Sequence, residues 1–299
     1  MAVKFVDEHR DRWPVSAICQ TIELAERTYY AAKARPRCAR SLRDEGHVAV
    51  MRTVWSENFC CYGATRLWAE LNRQHHRVAR CTVERLMPAA GVVGVQRGKR
   101  LRTTIADSQA DRPADLVERN FKAHRPNDLW VADITYASTW EGWLYVAFIL
   151  DVFSRYIAGW QISTSLETQL VLDALEMAIW RRDLTAGPLR HHSDRGGQYT
   201  SYAFSDRLAD ANIAASVGSR GDSYDNAMAE SLNGSYKAEL YKLHGPWRTR
   251  NRLEIKTIEW IEWYNQRRLH TEIGLIPPAE YEADWYQRRH GGVLLRTAT

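Results

Sequence analysis

Trp130-Val131-Ala132-Asp133-Ile134-Thr135-Tyr136 is an apolar, β-branched run with one carboxylate set in it. Such a run reads as a buried strand. A carboxylate inside it is costly unless a cation or hydrogen-bond donors compensate, so Asp133 marks either a site or a buried ion pair with an arginine. Working outward, Glu141-Gly142 reads as a turn, Trp143 to Leu150 as a second strand and Tyr156 to Ile162 as a third. The three make an antiparallel meander with the acid on its first strand.

Two further acids sit in comparable settings. In His191-His192-Ser193-Asp194-Arg195-Gly196-Gly197-Gln198-Tyr199-Thr200-Ser201, Asp194 falls where a short strand (189–192) gives way to a Gly-rich turn and a helix. Ligands of α/β sheets collect at such strand ends. After 35 intervening residues, Gly221-Asp222-Ser223-Tyr224-Asp225-Asn226-Ala227-Met228-Ala229-Glu230 reads as a loop in which Asp225 caps a helix running to about Tyr241, with Glu230 in its second turn. Taken singly, Asp194 also fits an N-cap and Glu230 a solvated helix residue. Strand, strand end and helix together can aim three carboxylates at one point, a pattern suited to divalent metal and phosphoryl transfer.

Taken together, WVADITY, EGWLYVAFILDVFSRYIAGW, HHSDRGGQYTS, SYDNAMAESLNGSYKAEL, WYNQRRLH and GLIPPAEYE resemble the core of DDE transposases and retroviral integrases. The resemblance is strongest to OrfB-type transposases of the bacterial insertion-sequence-three (IS-three) family, and runs from about Asn127 to Tyr281. It implies an α/β, ribonuclease-H-like mixed-sheet core in which Asp133, Asp194 and Glu230 are the catalytic, metal-binding acids. It further implies two Mg²⁺ or Mn²⁺ ions, and double-stranded DNA as substrate, both terminal inverted repeats and target. The chemistry implied is cleavage and strand transfer, by a homo-oligomer on DNA or with an upstream OrfA protein, separate or joined by frameshift. Gly197 departs from the family, which more often has Ser there. Two other readings remain: a DNA-binding regulator that has lost chemistry, which requires a broken acid set, and a structure-selective nuclease of the same ribonuclease-H-like class.

Around the core, the chain divides by charge. Residues 1–125 hold 23 Lys+Arg against 14 Asp+Glu, or +9, and the remainder 18 against 22, or −4. The excess cation marks a DNA footprint. Residues 1–40 read as a helix-turn-helix-like segment, a pattern that a plain helical hairpin fits equally. Residues 41–95 read as a second helical unit, with Arg80 and Arg85 as candidate DNA contacts. Residues 96–124 read as a basic linker whose Arg97, Lys99, Arg100 and Arg102 can track phosphates. The core spans 125–242 and a helical extension 243–299, where Leu253, Ile258, Ile261 and Tyr264 define the buried face of a helix and Trp260 and Trp263 are core or interface aromatics.

Lys237 lies seven residues beyond Glu230, on nearly the same helix face and about 10 Å further along, placed to hold a DNA phosphate. Gln198 is a further candidate DNA contact. His192, two residues before Asp194, and Asp151 are candidates for support behind the metal ligands, although Asp151 also fits a turn or ion-pair role. Five cysteines lack metal-site spacing, and an odd count argues for free thiols, without zinc or disulfide. No secretory segment follows Met1 and no stretch is apolar enough to span a bilayer, which points to the bacterial cytoplasm and nucleoid.

Overall fold

The computed structural model describes residues 2–34, 38–96, 123–194, 196–217 and 227–296, with side chains to Arg289. The linker cations Arg97, Lys99, Arg100 and Arg102 lie outside the described residues, as does the helix cap expected at Asp225. The chain falls into two compact units, 1–50 and 51–299.

The first unit holds α1 (Ala2–His9), α2 (Val15–Thr21), α3 (Glu26–Ala34) and the start of α4 (Ala39–Glu57). Val6, Ile18, Cys19 and Tyr29 form its small core. Asp7 ties α1 to α3, accepting from the Tyr29 hydroxyl at 2.9 Å and pairing with Lys33 at 2.9 Å.

In the second unit, α5 (Ala64–Arg73) and α6 (Arg80–Ala90) belong to the same body as the sheet. Buried polar contacts explain why. The Tyr62 hydroxyl accepts from Leu269 N at 2.8 Å, and Trp263 Nε1 donates to Asn58 Oδ1 at 3.0 Å. Glu239 accepts two hydrogen bonds from buried Arg268, at 2.5 and 2.8 Å, and one from Arg66 of α5 at 3.3 Å.

The sheet has the order β3-β2-β1-β4-β5. β1 (Leu129–Thr139), β2 (Gly142–Asp151) and β3 (Ile157–Ser163) form the antiparallel meander read from the sequence; β4 (Leu189–Ser193) and β5 (Ile213–Val217) extend it in parallel. Because side chains alternate along a strand, β1 faces two layers. Trp130 and Ala132 join Ala147, Ile149 and Ala158 under α7 (Thr168–Arg181) and α8 (Tyr202–Asp210). On the other face Phe148, register partner of Asp133, meets Tyr236 at 5.5 Å and Trp260 at 6.3 Å. Those rings come from α9 (Ala227–Tyr236) and α10 (Arg250–Gln266). α7 approaches β3 at Gly159, where a Cβ would stand 2.1 Å from the Ala174 carbonyl oxygen, so only glycine fits.

Two local expectations are corrected. The helix expected to reach Tyr241 changes at Lys237 into a π-helical segment, Lys237–Lys242. In α10, Ile258 is 43% exposed and Thr257 is buried instead. Leu253, Thr257, Trp260, Ile261 and Tyr264 keep strict helical spacing on the buried face, and the Thr257 hydroxyl is satisfied by donating to Leu253 O at 2.8 Å.

Candidate active site

Parallel pairing of β1 with β4 ends at Ala132↔Ser193, and one step beyond that pair lie Asp133 and Asp194. Adjacent strands are about 4.8 Å apart, so the register itself makes these two acids neighbours. Since β4 stops there, the rest of β1 loses a partner on that side, and α9 crosses near the opening.

The third acid is Glu230, in the first turn of α9. One turn later Asn233 Nδ2 donates to Asp133 Oδ2 at 2.9 Å, fixing the helix against the strand. Asp133 Oδ1 accepts from Ile134 N at 2.8 Å and Asp194 Oδ1 from Gly196 N at 3.0 Å. Burial, followed by the charge of Asp194 and with a contribution from Glu230, pushes the Asp133 carboxyl up to about 7 despite the two hydrogen bonds. Asp194 and Glu230 are thus both within electrostatic reach of Asp133. They are not drawn together as ready ligands: among the described residues no three His, Cys, Asp or Glu side chains are gathered about one ion. Three hard oxygen donors, of which Asp194 and Glu230 raise the proton affinity of Asp133, fit a divalent cation, which relieves that repulsion.

Lys237 projects its ammonium over the Tyr136 ring, 4.4 Å from the centroid. Burial lowers its pKa, while Asp133 acts in the opposite direction. The cation therefore stands near the acid cluster and uses an aromatic face as its partner.

The remaining candidates have different surroundings. His192 Nδ1 meets Ser216 Oγ at 3.0 Å across β4 and β5. Gln198 Nε2 donates to Leu166 O at 3.1 Å, so this amide holds the turn. Asp151 is gathered with Arg182 and Glu282 instead of with the acids: it accepts from Asn127 N at 2.7 Å and Ser154 N at 3.0 Å, and lies 3.8 Å from Arg182. Burial and then Glu282 push its carboxyl up to about 6. Its role is at the β2 end, as a turn and ion-pair residue. Arg80 pairs with Glu84 at 2.9 Å on α6, and Arg85 is exposed.

Sequence reasoning missed two neighbours of the acids. Asn233 was legible in principle, since it stands three residues after Glu230 on one helix face. Tyr199 gave no such signal. Its buried hydroxyl has no hydrogen-bond partner among the described residues, and burial, with Asp133 and Asp194 adding to it, raises its pKa far above the ordinary value.

A mixed five-stranded sheet with acids on the first strand, at the end of the fourth and on the helix after the fifth defines the ribonuclease-H-like integrase core of polynucleotidyl transferases. Residues 123–223 and 211–278 match families each described as "Integrase core domain", and residues 41–100 match "HTH-like domain". The chain is 48% identical to the transposase for insertion sequence element IS629 of Shigella sonnei, over 94% of this chain and 95% of that one. It is 32% identical to transposase InsF for insertion sequence IS3A of Escherichia coli K12, over 94% and 98%. Among solved structures it resembles a chain of the simian T-cell lymphotropic virus intasome complexed with a PP2A regulatory subunit, at 16% identity and TM-score 0.46, covering 78% of this chain and 74% of that one. The chain belongs to the IS-three-type family of insertion-sequence transposases. No helix among the described residues is long and apolar enough to cross a membrane.

Proposed function

We propose that Asp133, Asp194 and Glu230 are the catalytic acids of this transposase and together hold two Mg²⁺ or Mn²⁺ ions. The observation that supports this reading is the β1–β4 register that sets Asp133 beside Asp194, with the helix of Glu230 fastened to Asp133 through Asn233. Bound there, the cations supply Lewis acidity for in-line displacement at a phosphodiester. The protein's own part is to aim oxygens. Ile134 N–H and Asn233 orient Asp133, Gly196 N–H orients Asp194, and α9 carries Glu230 to them. Lys237 holds a phosphate of the bound DNA beside the acids.

The reaction needs no covalent protein intermediate. Water attacks the phosphodiester at the element's end, the P–O3′ bond breaks, and the element keeps a free 3′-hydroxyl while the phosphate stays on the flanking strand. That hydroxyl then attacks a second phosphodiester, forming one P–O bond as another breaks. The terminal inverted repeats and target DNA are the substrates, recognised in part by the HTH-like region through Arg80 and Arg85 and by the cations of 97–102. The working form is a homo-oligomer on DNA in the bacterial cytoplasm, acting with an upstream OrfA protein or as a frameshift fusion with it. A regulator without chemistry would not need the acid set retained.

The test is cleavage and strand transfer of labelled end DNA in Mg²⁺ by the variants Asp133→Asn, Asp194→Asn and Glu230→Gln. Each should abolish both steps while circular dichroism stays unchanged. Full activity in any one removes that residue from the centre.

A further inference from the structure

The β1–β2 hairpin carries three exposed aromatic side chains: Tyr136 is 55% exposed, Trp140 70% and Trp143 51%. Tyr136 and Trp143 meet edge to face at 5.4 Å, on the same face of neighbouring strands. Two of the rings have a cation over them, Lys237 at 4.4 Å from Tyr136 and Arg248 at 5.3 Å from Trp140.

The hairpin is held rigidly. Trp140 N donates to Trp247 O at 3.1 Å, Arg250 N to Glu141 Oε2 at 2.9 Å, and Ser138 Oγ meets the Tyr241 hydroxyl at 2.8 Å. At the turn Gly142 has φ +117°, and a Cβ there would stand 2.4 Å from Arg250 Nη2. Large rings left in water on a fixed support mark a binding surface. Tyr136 lies three residues along β1 from Asp133, about 10 Å and on the opposite face of the strand, and Lys237, from the segment that continues α9, reaches its ring.

We propose that this hairpin is a stacking platform for unpaired bases of the DNA strand whose phosphate lies at the acid cluster. The inference rests on the reading of that cluster as the site of DNA chemistry. Cations interleaved with open rings complement a chain of phosphates carrying flat bases. A duplex hides its base faces, so the occupant is a strand opened near the point of cleavage.

The test uses the full chain and fluorescence anisotropy with three probes: a blunt end duplex, the same duplex with a short unpaired fork, and an oligothymidine of about 15 nucleotides. The unaltered protein should bind the forked duplex more tightly than the blunt one. Trp140→Ala and Trp143→Ala should each weaken forked and single-stranded binding by about 5- to 100-fold, leaving blunt-duplex affinity and the salt slope unchanged. Trp140→Phe should retain most of the binding, and the melting temperature of all three variants should match the parent. Equal losses on blunt and forked DNA, or no loss on either, overturn the platform. A fall in oligomeric mass without loss of forked binding makes the patch an interface between copies instead. If the parent binds none of the probes, the reading of the acid cluster falls with the platform; normal blunt-duplex binding without fork preference removes the platform alone.

Discussion

Asn233 donates its side-chain amide to Asp133 across 2.9 Å, joining residues 100 positions apart. The bond favours the charged carboxylate, since hydrogen bonding to the ionised form opposes the elevation caused by burial and by Asp194. Replacing Asn233 with Ala should lower end cleavage about 10- to 100-fold, as for other groups that orient a metal ligand. Removal of the donor raises the Asp133 pKa further, so the acid limb of the activity profile should move to higher pH. An unshifted profile with normal turnover would leave Asn233 as packing only.

The elevation of Asp133 from its ordinary 3.8 to about 7 has a cost in stability. The folded protein retains a proton that the unfolded chain has already released. Stability from this group is therefore greatest below about pH 4 and is lost as pH rises towards 7, by at most about 1.4 kcal/mol per unit. In chelator, Asp133→Asn should melt higher than the parent at pH 8, with the difference shrinking at pH 5. Adding Mn²⁺ at pH 8 should raise the parent's melting temperature and leave the variant's unmoved. Parallel curves for the two proteins in chelator would contradict the elevation.

Arg268 is 2% exposed and its charge is met by Glu239. Glu239→Ala leaves a buried guanidinium without its carboxylate, which costs about 3–5 kcal/mol. Urea unfolding measures the loss. Arg66→Ala should cost less, because that partner is 25% exposed and its single bond to Glu239 is 3.3 Å long. A loss below about 1 kcal/mol for Glu239→Ala would show that neighbouring groups rehydrate the arginine.

Two glycines should behave in opposite ways. Gly159→Ala forces β3 and α7 apart, because the added carbon meets a backbone carbonyl; overpacking of this kind costs about 1–3 kcal/mol or more. Gly197 has open space around a Cβ, and Gly197→Ala should leave stability and cleavage within about 0.5 kcal/mol of the parent, or slightly raise stability through the unfolded chain. Denaturation of the two variants side by side separates space from mere glycine content.

Much of the core was legible because local pattern and tertiary demand agree there. β1, β2 and β3 alternate or run apolar between clear turns, and β4 ends where a Gly-rich turn begins. Asp194 and Glu230 stand near boundaries that the sequence announces, and Asp133 is the single carboxylate within an apolar strand. What the sequence does not announce comes where partners are distant. Asp151 finds Arg182 and Glu282, the latter 131 positions away, and nothing local foretells that cluster. Gln198 spends its amide on Leu166 O, a contact set by how the turn folds back. Ile258 was chosen for the buried face of α10 on residue type, yet the phase of the helix is set by Trp260, Ile261 and Tyr264 and selects Thr257. The change to π-helix at Lys237 has no propensity signature, and it accompanies the fastening of Glu239 to Arg66 and Arg268.

The three acids arrive on separate pieces of chain, one on β1, one past β4 and one on α9, and only completed long-range pairing brings them together. Contacts of such sequence separation form late and cooperatively. A nascent chain still short of α9, or a proteolytic fragment lacking it, contains two carboxylates and no third. Topology thus acts as a safety catch: the complete acid set exists only in a chain that has folded through α9.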